Sequence, residues 1–198
     1  LAIGAAWWLV ACGLVVRYPK QVSLWQAKPI RAVLGLLVLI PMWVGFMTLK
    51  SQPYSALIIV YVMLLIWGAD TGAYFAGKTW GNAKLAPNVS PGKSWAGFWG
   101  GLATTGLIAV IFSLCVHQWL RPMTLSDFAL LAVMTFITAI ISVMGDLVES
   151  MMKRHRGIKD SSQLLPGHGG VLDRIDSMAS AVPVFAFFML LFGWQLAA

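Results

Sequence analysis

Two carboxylates, an arginine, a histidine and three glycines fall within the ten residues GHGGVLDRID, 167–176, of a chain that is otherwise mostly hydrocarbon. Ionisable groups at membrane depth need partners or a wet cavity, so a lipid-facing helix cannot hold this set. Asp173 and Asp176 are spaced i, i+3 at the start of a helical segment, with Arg174 pointing elsewhere on it. Upstream, in SVMGDLVESMMKRHRGIKD, 142–160, Asp146, Ser150 and Lys153 are separated by four and three residues. A helix continued past the interface stacks them on one face, with Glu149 alongside. Carboxylates from two helices, here Asp146 and Asp173, are what Mg²⁺ takes together with substrate phosphates and water. A bound cation would also relieve the conflict between like charges held close together.

The residues between these acids fit the same chemistry. Lys153, Arg154, Lys159 and Arg174 would neutralise a polyphosphate, and Gly167, Gly169 and Gly170 let the backbone approach a phosphate closely. His168 is the histidine nearest this chemistry, either as a donor to a phosphate oxygen or as a loop-packing residue. Taken singly, a juxtamembrane Lys or Arg is a topology signal and an Asp at a helix end is a cap. Their combination with the glycine run points to a metal-assisted phosphoryl-transfer site.

The segment GAYFAGKT, 72–79, satisfies G-x-x-x-x-G-K-[ST] but is not a phosphate-binding loop. That motif needs a preceding strand and a helix opening at the lysine. Here Ala-Tyr-Phe-Ala continues an apolar span, and the two prolines that follow exclude a long helix. The region still carries candidates. Asp70 either bonds a neighbouring helix or lines a polar cavity, with Lys78, Lys84, Ser90, Lys93 and Ser94 near substrate. Gly97 and Gly101 have the small-xxx-small spacing of helix packing.

The elements that must position these groups are membrane helices. Of 198 residues, 59% are hydrophobic and only 11% charged, with a mean hydropathy of +0.80, whereas soluble domains carry roughly 25% charged residues. Six apolar spans are expected, over 1–16, 32–49, 55–77, 97–119, 128–148 and 179–197. The connections 17–31, 78–96 and 149–178 hold twelve of the Lys and Arg residues, against Lys50 and Arg121 on the other side. The richer loops therefore face the cytoplasm, and the net charge of +7 is mostly topology. Six of the seven acids lie in the two larger of those loops or at the cytoplasmic ends of spans; the seventh, Asp127, is expected as a helix N-cap. His117 is expected at the outer interface and His155 in solvent, while Cys12 and Cys115 read as packing residues. The fold expected is all-α and polytopic, a single membrane domain over 1–198 with a cytoplasm-facing polar site. Because the chain begins at Leu1, further spans are expected upstream.

From Ser150 to Asp176 the chain reads SMMKRHRGIKDSSQLLPGHGGVLDRID. It resembles the signature S-x-x-K-R-x(4)-K-D-x(5)-[PG]-x-H-G-G-x-x-D-R-x-D of the phosphatidate cytidylyltransferase (CDP-diacylglycerol synthase) family, without a departure. GDLVES and WGADTGAYFAGK…LAPNVSPGKSWAGF are also similar to its bacterial members, so the resemblance runs over most of 67–185. It implies synthesis of CDP-diacylglycerol and pyrophosphate from CTP and phosphatidic acid with Mg²⁺, and in some members a second, monovalent cation such as K⁺. It also implies a homodimer in a bacterial inner membrane, with no nucleic-acid partner. Carried over by motif position, Asp146 and Asp173 would be metal ligands, and Ser150, Lys153 and Asp176 would complete the site.

Two other readings fit less well. A transporter would place acids near mid-membrane in several spans, but these lie near one membrane face. A CDP-alcohol phosphatidyltransferase would carry a DG…AR…G…D…D helix, which is not present.

Overall fold

The structure, a computed structural model, describes residues 1–167 and 169–196. Six helices make up an all-α integral membrane bundle: α1 (Ala2–Arg17), α2 (Lys28–Lys50), α3 (Ser55–Trp80), α4 (Trp95–Trp119), α5 (Leu125–His155) and α6 (Leu172–Leu191). The last five are long and apolar enough to cross a membrane, and α1 is a shorter apolar helix of 16 residues. The expected spans agree with these helices except at the C-terminus, where the helix ends at Leu191 rather than at 197. Gly193 adopts φ +61 there, and Gly193 N–H and Trp194 N–H donate to the carbonyls of Leu190 and Met189. Such a left-handed glycine closes off the last carbonyls and stops the helix.

Between α3 and α4 the chain forms an antiparallel hairpin, β1 (Lys84–Ala86) and β2 (Ser90–Ser94), where the sequence suggested only a loop. Ser94 then caps α4, its Oγ accepting from Gly97 N–H at 3.1 Å. At the other end of the bundle, Asp127 is not the N-cap. Thr124 is, and Asp127 sits three residues on as the second half of a capping box while also pairing with Arg121 at 3.0 Å. His117 Nδ1 accepts from Met123 N–H at 3.0 Å, and His155 packs edge-on to Trp25 at 4.8 Å rather than standing free in solvent.

Lipid gives apolar side chains little reason to leave it, so these helices associate through close backbone approach. A Cβ on Gly101 would lie 2.8 Å from the Ala69 carbonyl oxygen, and one on Gly97 2.9 Å from that of Ala73, so α3 and α4 meet backbone to backbone. On α5, Gly145 is pressed in the same way against the Asp176 carbonyl and Ser180 of α6. Gly101→Ala is therefore expected to lower the thermal unfolding midpoint in detergent by overpacking, a cost of about 1–3 kcal/mol. Gly13→Ala, where a Cβ meets nothing within 4 Å, should leave the midpoint unchanged or slightly higher.

Candidate active site

The C-terminal ends of α3 and α5, the N-terminal ends of α4 and α6, and the hairpin share one end of the bundle. A cavity of about 380 Å³ opens there between α3, α4, the hairpin and α5, with Asp70, Tyr74, Lys78 and Lys93 in its wall. Asp70 and Lys78 come from the final turns of α3, and the Lys78 ammonium lies 5.7 Å from the Tyr74 ring centre. GAYFAGKT runs unbroken within α3, so its resemblance to a phosphate-binding loop is accidental.

Two lysines hold the acids. Lys93 reaches from β2 to Asp146 Oδ2 at 2.8 Å and donates to the Val143 carbonyl at 3.4 Å. One turn along α5, Ser150 Oγ donates to Asp146 Oδ1 at 3.1 Å. Asp70 and Asp176 act electrostatically on each other and on Asp146, with Lys93 in the same field. Asp70 of α3 and Asp176 of α6 thus lie within electrostatic reach of the Lys93–Asp146 pair. Asp176 Oδ1 accepts from Ser177 N–H at 2.7 Å; among the described residues neither Asp70 nor Asp176 forms an ion pair.

Lys153 organises the second cluster. Its Nζ lies 2.8 Å from Glu149 Oε2, one turn back on α5, and 2.6 Å from Asp173 Oδ1 across on α6. Asp173 Oδ2 in turn accepts from Ser161 N–H and Ser161 Oγ, both at 2.8 Å, and from Gly170 N–H at 2.6 Å. One carboxylate therefore staples the glycine loop to α5. Gly170 cannot be larger, because a Cβ there would run into Ser161 Oγ and approach Ser162 Oγ to 2.7 Å. Gly169 takes φ +79, and a Cβ there would lie 2.8 Å from Asp173 Oδ2. Ser161 has no signal beyond the Ser-Ser pair in KDSSQ, and its role emerges only once the loop folds back.

The remaining candidates are more dispersed. Lys84 and Ser90 lie on the hairpin but outside the cavity wall. Arg154 donates from Nε to the Val89 carbonyl at 3.2 Å and so ties α5 to the hairpin. Lys159 and Arg174 are exposed, and His168 lies outside the described residues. Among those residues, no three His, Cys, Asp or Glu side chains are gathered closely enough to hold a metal unaided. What the end of the bundle offers is hard anionic oxygens, with those of Asp146 and Asp173 balanced by ammoniums that could turn to another anion.

The model of the cytidylyltransferase family matches residues 1–192. The phosphatidate cytidylyltransferase of Pseudomonas aeruginosa is 48% identical over 194 residues, which cover 98% of this chain and 70% of that protein. That of Haemophilus influenzae is 47% identical over 191 residues, covering 92% and 65%. That of Bacillus subtilis is 38% identical over 164 residues, covering 80% and 59%. The chain thus spans between 59% and 70% of the length of these three relatives.

Proposed function

The chain belongs to the cytidylyltransferase family, and from that premise we propose that it transfers the CMP moiety of CTP to phosphatidic acid, giving CDP-diacylglycerol and pyrophosphate. The observation that carries this reading is the pair of lysine-bridged carboxylates, Lys93–Asp146 and Lys153–Asp173, beside a cavity at one end of a membrane bundle. The site faces the cytoplasm, on the side of the basic loops, in a bacterial inner membrane. The protein works as a homodimer.

The phosphate of phosphatidic acid is already an anionic nucleophile, so the reaction asks for no strong general base. One of its oxygens bonds to the α-phosphorus of CTP while the bond from that phosphorus to the bridging oxygen of the β-phosphate breaks in line. Pyrophosphate leaves with that electron pair. The work left to the protein is positioning and charge neutralisation. Lys78 and Lys93 in the cavity wall are set to meet the triphosphate, and Lys153 meets it from α5. Arg154, Lys159, Arg174, Lys84 and Ser90 serve at the rim, with the Gly169–Gly170 backbone on the opposite side.

Mg²⁺ would be held by Asp146 and Asp173, whose oxygens suit a hard cation that keeps waters and takes substrate phosphates as further ligands. When bound, it supplies charge stabilisation at the reacting phosphates. The lysines that neutralise these two carboxylates are stand-ins for such a cation, and both are within reach to turn toward phosphate once the carboxylates are otherwise balanced. Ser150 and Asp176 orient the Asp146 side of the site. A second, monovalent cation such as K⁺ would need substrate phosphate oxygens beside these carboxylates, since among the described residues no three acids are gathered in one place.

The test is the destination of each phosphate. Purified protein in detergent with phosphatidic acid and Mg²⁺ should move label from the α-phosphate of CTP into lipid and label from the γ-phosphate into pyrophosphate. Label in lipid from the γ-position, or none from the α-position, would contradict this reading.

A further inference from the structure

A second cavity, of about 450 Å³, lies between α1, α2, α5 and α6. It meets α5 at Gly145, Val148, Glu149 and Met152, whereas the first meets α5 at Ala139 and Val143. At 3.6 residues per turn these are opposite faces, so α5 is the partition between the two cavities. The wall is largely apolar, formed by residues such as Leu34, Val38 and Leu39 of α2. Its polar features are few and lopsided. Arg31, in the first turn of α2, and Arg156, which caps α5, both line it, and neither guanidinium has a hydrogen bond or ion pair among the described residues. Deeper in, Trp7 and Trp8 are 7% and 1% exposed, yet both leave a shielded indole N–H without an acceptor.

Both N–H groups have almost no accessible surface, so what Trp7 and Trp8 present to the cavity is ring surface. Gly4 of α1 abuts Pro41 of α2, so Trp8 lies near the level of Val38. That is about 10 Å along α2 from Arg31, at 1.5 Å per residue. A ligand filling this groove is anionic at one end and apolar beyond. Glu149 and Asp176 also line the groove, and Glu149 Oε1 likewise lacks a partner.

We propose that this groove seats the acceptor lipid. The phosphate of a diacylglycerol phosphate lies at Arg31 and Arg156, its glycerol and first methylenes lie against the Trp7 and Trp8 rings, and its chains leave along α2. The inference rests on the reaction proposed above. It adds that lipid and nucleotide approach from opposite faces of α5 and meet beside Asp146 and Asp176.

Two readouts test it, using the complete protein in detergent. The first is tryptophan quenching by phosphatidic acid brominated in its acyl chains, beside equally brominated phosphatidylcholine, with the signal assigned by a Trp7→Phe/Trp8→Phe variant. Stronger quenching by phosphatidic acid, lost in that variant and equalised in Arg156→Gln, supports the groove. Equal quenching by the two lipids overturns it. The second is kinetic. In Arg31→Gln and Arg156→Gln, KM for phosphatidic acid should rise about tenfold, the loss of one charge-assisted hydrogen bond, while KM for CTP stays put. Arg156 is exposed and outside the helix body, so its variant tests the idea even if Arg31→Gln fails to fold. Unchanged KM for phosphatidic acid in Arg156→Gln overturns the proposal. Headgroup-selective quenching without any CDP-diacylglycerol formed would retain the groove and overturn the reaction instead.

Discussion

Asp173→Asn is expected to cut CDP-diacylglycerol formation by about 10³-fold, the loss seen when a group that stabilises transition-state charge is removed. The geometry makes this severe. Asp173 presents one oxygen to the Lys153 ammonium and the other to three donors, from Ser161 and Gly170. An amide has a single acceptor oxygen, so in either orientation its NH₂ faces donors. It cannot neutralise Lys153, and it cannot hold the glycine loop and bind a cation together. The variant should also unfold more readily, since Lys153 keeps only Glu149 as a counter-charge and an NH₂ is set against donors. Ser161→Ala separates the two effects. It removes one donor, costs about 1 kcal/mol, and should leave most of the activity. Initial rates of lipid labelling, read beside detergent unfolding midpoints, check both. An Asp173→Asn protein that turns over at the wild-type rate would remove Asp173 from the site.

Lys93→Met carries the second large expectation. Lys93 pairs with Asp146 within the field of Asp70 and Asp176, and it comes from the hairpin rather than from a membrane helix. Without it the three carboxylates repel one another and the cavity loses a cation that a triphosphate would use. Turnover should fall about 100-fold, with KM for CTP raised and KM for phosphatidic acid little changed. Lys93→Arg should recover part of the loss, since a guanidinium keeps the charge but not the compact point geometry of an ammonium. Rates at varied CTP and fixed lipid decide this. If turnover in Lys93→Met stays within a few-fold of wild type, Lys93 is only a counter-ion for Asp146.

These expectations draw unequally on sequence and structure. The helices were legible because long uncharged runs have one solution in lipid, and the basic loops between them set their orientation. The α5 face was legible too: Asp146, Ser150, Glu149 and Lys153 follow from 3.6-residue periodicity, and the helix does continue to His155. The hairpin was not. LAPNVSPGKS has two prolines and no apolar alternation, and its strands are fixed by neighbours, through Arg154 on Val89 and Lys93 on Asp146, rather than by local propensity. Lys93 on Asp146 and Ser161 on Asp173 are long-range consequences of a folded loop, which no local spacing announces. Thr124 and Asp127 had a readable capping pattern, T-x-x-D, but Asp127 alone drew notice because acids are rare in this chain. Trp7 and Trp8 show the converse, since ten tryptophans in a membrane protein invite an interfacial explanation, and only their place in the wall of a cavity beside Arg31 and Arg156 sets these two apart.

Asp146 and Asp173 are proposed to hold a divalent cation together beside the triphosphate. Mn²⁺, a paramagnetic substitute for Mg²⁺, tests this without reference to turnover. The free-ion resonance would be followed as the complete protein is titrated with and without CTP, in wild type, Asp146→Asn and Asp173→Asn. Wild type is expected to take up Mn²⁺ more tightly when CTP is present, and each variant to weaken uptake at least about tenfold while remaining folded. Folded variants that bind Mn²⁺ as wild type does would contradict it and move the metal elsewhere.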